Sequence, residues 1–151
     1  MNTPKTPVTD TALFRQFTAD EAGALAACAL EKTYREGERI FGEHEEAYGI
    51  CMLLSGRVGL QLDIGGGRLL TVGTVDHGEI FAFSGLVPPH SFTTGARAVT
   101  DCEVAVFPAD KLRTVFETNP SLGYHFMQHI AQLESQRLRD SYLQLVGLFG
   151  A

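Results

Sequence analysis

The side chains able to do chemistry in this sequence concentrate in one stretch: Phe81, Ala82, Phe83, Ser84, Gly85, Leu86, His90, Phe92, Thr93 and Thr94. Ser84 and His90 are a hydroxyl and an imidazole, the start of a nucleophile–base pair. No carboxylate lies within the same loop to orient the imidazole, and Phe83-Ser84-Gly85-Leu86 lacks the strained elbow of a serine nucleophile. Catalysis is therefore not expected. Phe81, Phe83 and Phe92 either line a pocket for an apolar ligand or fill the space themselves.

Metal chemistry has two candidate places. His125 and His129 stand one helical turn apart, but with Gln132 and Gln136 they read better as a solvated polar face. Glu43-His44-Glu45-Glu46 reads as a charged loop. Cys28, Cys51 and Cys102 show no metal-type spacing, and an odd, dispersed set reads as buried free thiols in a reducing compartment. No metal is expected.

The elements that must position these residues announce themselves by period and punctuation. Thr18-Ala19-Asp20-Glu21 is a capping box and opens a first helix. From about residue 29 to 107 the signals become short apolar or alternating runs: 39–41, 50–54, 58–64, 69–75 and 102–107. Gly37, Gly42, Ser55-Gly56, Gly65-Gly66-Gly67 and Asp76-His77-Gly78 separate them. Many short strands at this spacing predict an antiparallel barrel or sandwich. Helix returns at Pro108, breaks at Asn119-Pro120, and runs again from about 121 to 148.

That last helix carries two apolar stripes. Phe126, Ile130 and Leu133 form one; Leu138, Tyr142, Leu145 and Phe149 form a second, flanked by Leu143, Val146 and Leu148. Either the second stripe folds back on the chain's own strands or it pairs with a second copy, and self-association is the expectation.

Composition limits the rest. The 151 residues suit one domain, 1–151, and a formal charge of −6 with 12 scattered Lys and Arg argues against a nucleic-acid face. Residues 1–7 contain no secretory signal, and no run approaches a membrane span, so a cytoplasmic protein is expected.

An ordered set of motifs carries a resemblance. Gly37, Ser55-Gly56-Arg57-Val58, Gly78-Glu79-Ile80-Phe81 and Arg97-Ala98-Val99-Thr100-Asp101-Cys102-Glu103-Val104 occur in that order before a helical pair. The chain resembles, from about residue 13 to 150, the cyclic-nucleotide-binding domain of catabolite-activator/FNR-type regulators. The resemblance implies a mainly β fold with flanking helices: an antiparallel barrel or jelly roll with an N-terminal helix and a C-terminal helical pair. It also implies a phosphate-binding cassette between Phe81 and Thr94, and a long helix that closes over the ligand and pairs in a homodimer.

Such a cassette has a plain physical logic. A short helix starting near Ala82 aims free N–H groups at an anion, a carboxylate accepts the ribose hydroxyl, and an arginine pairs the phosphate. In this sequence the resemblance places Ala82-Phe83 where Gly-Glu is expected and Phe92-Thr93 where Arg-Thr or Arg-Ser is expected. Arg97 has the opposite strand parity to Phe92, and His90 lies on the loop, so neither is expected to replace the lost cation. Weak or absent cAMP and cGMP binding is expected.

The leading expectation is a regulatory sensor module with an unknown small-molecule ligand, signalling through its long helix. The alternatives are a haem-based gas or redox sensor, a ligand-free dimerisation module, and the sensory fragment of a longer transcription regulator. The chain ends soon after Phe149, before any recognition helix, so direct nucleic-acid binding by this chain is not expected.

Overall fold

The computed structural model describes residues 7–150. Residues 1–6, most of the segment read above for a secretory signal, and residue 151 lie outside the described residues. The chain divides into two compact units, Met1–Val115 and Phe116–Ala151.

In the first unit, α1 (Ala19–Ala26) starts where the capping box places it. The Glu21 amide donates to Thr18 Oγ1 at 3.2 Å, and the Thr18 amide donates to Glu21 Oε1 at 3.1 Å. Two donors that a helix start leaves open are thereby satisfied. Ahead of α1 lie two single 3₁₀ turns, Val8–Asp10 and Phe14–Gln16. Phe14 is buried, its ring 6.1 Å from that of Phe107.

Eight antiparallel strands follow: β1 (Leu30–Tyr34), β2 (Arg39–Phe41), β3 (Gly49–Ser55), β4 (Val58–Asp63), β5 (Leu69–Val75), β6 (Ile80–Ala82), β7 (Gly95–Ala98) and β8 (Cys102–Pro108). They form two four-stranded sheets, ordered β1-β8-β3-β6 and β2-β7-β4-β5. The mainly β architecture with flanking helices is as expected. Closure into a barrel is not: among the described residues no ladder joins one sheet to the other. Two of the edge strands, β2 and β6, are three residues long and bulged against their partners, which ends pairing before the edges meet.

The core lies between the sheets and is built by strand alternation. Cys51 and Leu53 of β3 and Cys102, Val104 and Val106 of β8 meet Phe41, Val58, Val75, Ala96 and Ala98 of the other sheet. All seven residues of β3 are buried, which explains its unbroken apolar run. Gly56 turns the β3–β4 hairpin at φ 89°; a Cβ there would sit 2.2 Å from the Asp101 carbonyl oxygen.

α2 (Ala109–Thr118) begins one residue later than the sequence suggests. Pro108 ends β8 opposite Gly49, and the Ala109 amide donates to the Tyr48 carbonyl at 3.0 Å. In the second unit, Asn119 caps α3 (Pro120–Phe149), its Oδ1 accepting from the Leu122 amide at 3.2 Å. Leu122, Phe126 and Ile130 are buried, and Phe116 packs on Phe126 with ring centroids 5.2 Å apart. From Leu138 onward every described residue of α3 is exposed, with Leu138 at 52%, Leu145 at 50% and Phe149 at 87%.

Candidate ligand site

The segment expected to form the cassette runs from β6 to β7. Phe81 and Ala82 are buried at the end of β6, and Ala82 stands opposite Cys51 in the ladder. The helix expected to start near Ala82 is therefore displaced and shortened. Only the single 3₁₀ turn Ser84–Leu86 forms, after Phe83 at φ −137° and ψ 9°. Pairing of Ala82 with β3 uses the backbone that the helix would need. One turn of three residues does not build the aligned dipole of a longer helix.

Phe92 closes the other end of the segment. It is 2% exposed, stacked on Phe41 with ring centroids 3.8 Å and planes 11° apart. Tyr48 meets Phe92 edge-on at 5.4 Å, and Phe81 stacks on Phe41 at 6.1 Å. The Phe92 amide donates to the Glu45 carbonyl at 2.9 Å and its carbonyl accepts from the His44 amide at 2.8 Å. Ring and backbone are thus both fixed. Thr93 is exposed, while Phe83, Ser84, Leu86 and Thr94 are half-buried and Gly85 is buried.

The nearby basic groups are engaged elsewhere. The Arg97 guanidinium donates to the Gly37 carbonyl at 2.7 Å and to Gln61 Oε1 at 3.4 Å. His90 Nδ1 lies 3.2 Å from the Ser84 carbonyl oxygen, not from its hydroxyl, so no nucleophile–base pair forms there. The Arg113 guanidinium reaches the segment from α2 but is spent on the Gly85 carbonyl at 2.8 Å. Among the described residues no group of three or more His, Cys, Asp or Glu is arranged to hold a metal ion. In the 43–46 loop Glu43 accepts from the Asp63 amide and Glu45 pairs with Arg39 and the Gly42 amide.

Phe81 and Phe92 each stack on Phe41, and burial pushes the Cys51 thiol up to about 12. Burial likewise pushes the Tyr48 hydroxyl up, with Cys51 beside it. A concavity of about 680 Å³ lies elsewhere, lined by Tyr34, Glu38, Ser55, Asp101 and Cys102, and no cassette residue lines it.

Sequence reasoning marked Phe81, Phe92 and Gly85 but missed Phe41 and Tyr48, which pack on the two rings, and Gly49 and Arg113, which meet Gly85. Phe41 was legible only as a strand residue. For Arg113 the one available signal was the pair of prolines after the cassette turn.

Two antiparallel four-stranded sheets with a short turn between β6 and β7, preceded and followed by helices, define the fold class. The cyclic nucleotide-binding domain family matches residues 31–119, and the chain belongs to that family. A protein of Geobacter metallireducens GS-15, provisionally described as a cyclic nucleotide-binding protein, is 30% identical with a TM-score of 0.74, over 85% of this chain and 92% of that one. A cyclic nucleotide-binding domain of Methylobacillus flagellatus KT shares the fold at 22% identity and TM-score 0.80, over 92% and 78% of the two chains. The catabolite activator protein of Thermus thermophilus does so at 24% and 0.73; the match spans 90% of this chain but 62% of that protein. Among curated proteins none matches significantly. Among the described residues no helix is long and apolar enough to cross a membrane.

Proposed function

We propose that residues 1–151 act as one regulatory sensor module whose affinity for cAMP and cGMP is weak or absent. The observation that carries this reading is the burial of Phe92 against Phe41 where the family's pattern has the phosphate-pairing arginine. An unpaired phosphate charge placed against these rings costs several kcal/mol. Phe83 in the ribose-carboxylate position removes a second anchor. Thr93 is exposed and keeps its hydroxyl; a ligand with less charge than a cyclic phosphate would displace the turn and act through the helical pair. No catalytic role is assigned to any residue.

The partner we assign is a second copy, paired along Leu138, Tyr142, Leu145 and Phe149 of α3. These residues repeat at spacings of four, three and four and are all exposed. The net charge of −6 supports a module without its own nucleic-acid contacts, and three buried free thiols are in keeping with a cytoplasmic setting. Titration calorimetry of the purified chain with cAMP and cGMP tests the ligand reading. Sub-micromolar binding of either nucleotide would overturn it.

A further inference from the structure

The hydrogen bonds of the cassette turn stop one residue short. The Leu86 amide donates to the Phe83 carbonyl at 3.1 Å and the Val87 amide to the Ser84 carbonyl at 3.2 Å. The next donors that could close a turn on the Gly85 carbonyl belong to residues 88 and 89. Both are proline and carry no N–H. Gly85 is buried, so its carbonyl needs a partner from outside the turn. Arg113 of α2 supplies it at 2.8 Å.

The same residue is seated on β3. A Cβ added to Gly85 would lie 2.7 Å from both Cα and N of Gly49, so the turn rests directly on that backbone. α2 is held at the adjacent residue, through the Ala109 amide on the Tyr48 carbonyl at 3.0 Å. Ala109 and Arg113 share one face of α2. The turn and the helix are thus both mounted on Tyr48-Gly49, and the Arg113 guanidinium ties one to the other. Past Arg113, α2 continues to Thr118 and carries Phe116, whose ring packs on Phe126 of α3.

We propose that Arg113 is a positioning residue that ties the cassette turn to α2, so that a ligand displacing the turn moves the helix with it. The proposal rests on the reading of the cassette as the ligand-responsive element, yet the tie itself is testable without ligand. Hydrogen exchange is measured on the full chain, its Arg113→Met variant and its Arg113→Lys variant. Arg113→Met should speed exchange of the Leu86 and Val87 amides by about tenfold or more, since a bond from a charged donor is lost. The amides from Arg113 to Glu117 should accelerate with them, core amides of β3 and β8 should not, and lysine should restore most of the protection. Unchanged exchange at Leu86 and Val87 would overturn the proposal. So would acceleration confined to the turn, uniform acceleration over the whole chain, or a lysine variant no better than methionine. Any of these strikes the tie, whereas an intact tie with no small-molecule binding strikes the ligand reading alone.

Discussion

The ring of Phe92 lies on the ring of Phe41 at 3.8 Å, nearly parallel, and both side chains are buried between the sheets. Phe92 is thus part of the hydrophobic core. Its removal should behave as a core truncation: Phe92→Ala is expected to cost about 3–5 kcal/mol. Denaturant unfolding with an unchanged slope checks this. A loss below 1 kcal/mol, on the scale of an exposed site, would contradict it.

Replacing the same ring by a cation tests the electrostatics of the site. Phe92→Arg alone should destabilise the fold, because the guanidinium replaces a buried ring stacked on Phe41. Phe92→Arg with Phe83→Glu should be less destabilised than the sum of the two single changes, as a double-mutant cycle in denaturant would measure.

Stability should also fall at high pH through Cys51. Burial raises its thiol from an ordinary 9.0 to about 12, so between those values the unfolded chain has lost a proton that the folded chain keeps. The stabilisation is present below pH 9.0 and is lost as pH rises toward about 12, by at most about 1.4 kcal/mol per pH unit for one group. Cys51→Ala should flatten that fall when unfolding is followed across the range. Tyr48, raised in the same direction, leaves part of the slope in place. An identical slope in both proteins would contradict the assignment.

The exposed stripe of α3 predicts self-association. Leu138→Glu with Leu145→Glu should place like charges across a two-fold seam and yield a monomer with the strands still folded. Sedimentation and circular dichroism together check both halves of the statement. A monomeric unmodified chain at micromolar concentration, or an unchanged dimer in the double variant, would contradict it.

The local features of this fold were readable in the chain. The Thr18–Glu21 box, the glycine hairpins, and the two stripes of α3 each follow from neighbours within a few residues. β1, β6 and β7 were not marked by an apolar run: Leu30–Tyr34 is mostly polar, β6 is three residues long, and Gly95–Ala98 packs small residues. Failure of the barrel to close depends on where two short, bulged edge strands stop pairing, which no local pattern records. Phe92 could be marked from the sequence; its partner Phe41 could not, because that contact is made only when the segment before β7 pairs with the 43–46 loop that follows β2. Gly85 against Gly49 is likewise a tertiary approach, although the prolines at 88 and 89 already deprived Gly85 of local donors.

The most direct test of the central claim is titration calorimetry with cAMP and cGMP, run on the chain and on its Phe83→Glu/Phe92→Arg variant in the same buffer. The stacked Phe41–Phe92 pair predicts no binding, or only weak binding, by the unmodified chain. It also predicts a gain of about 1.4 kcal/mol or more, tenfold in affinity, once the carboxylate and the guanidinium are supplied. Sub-micromolar binding by the unmodified chain would contradict the account.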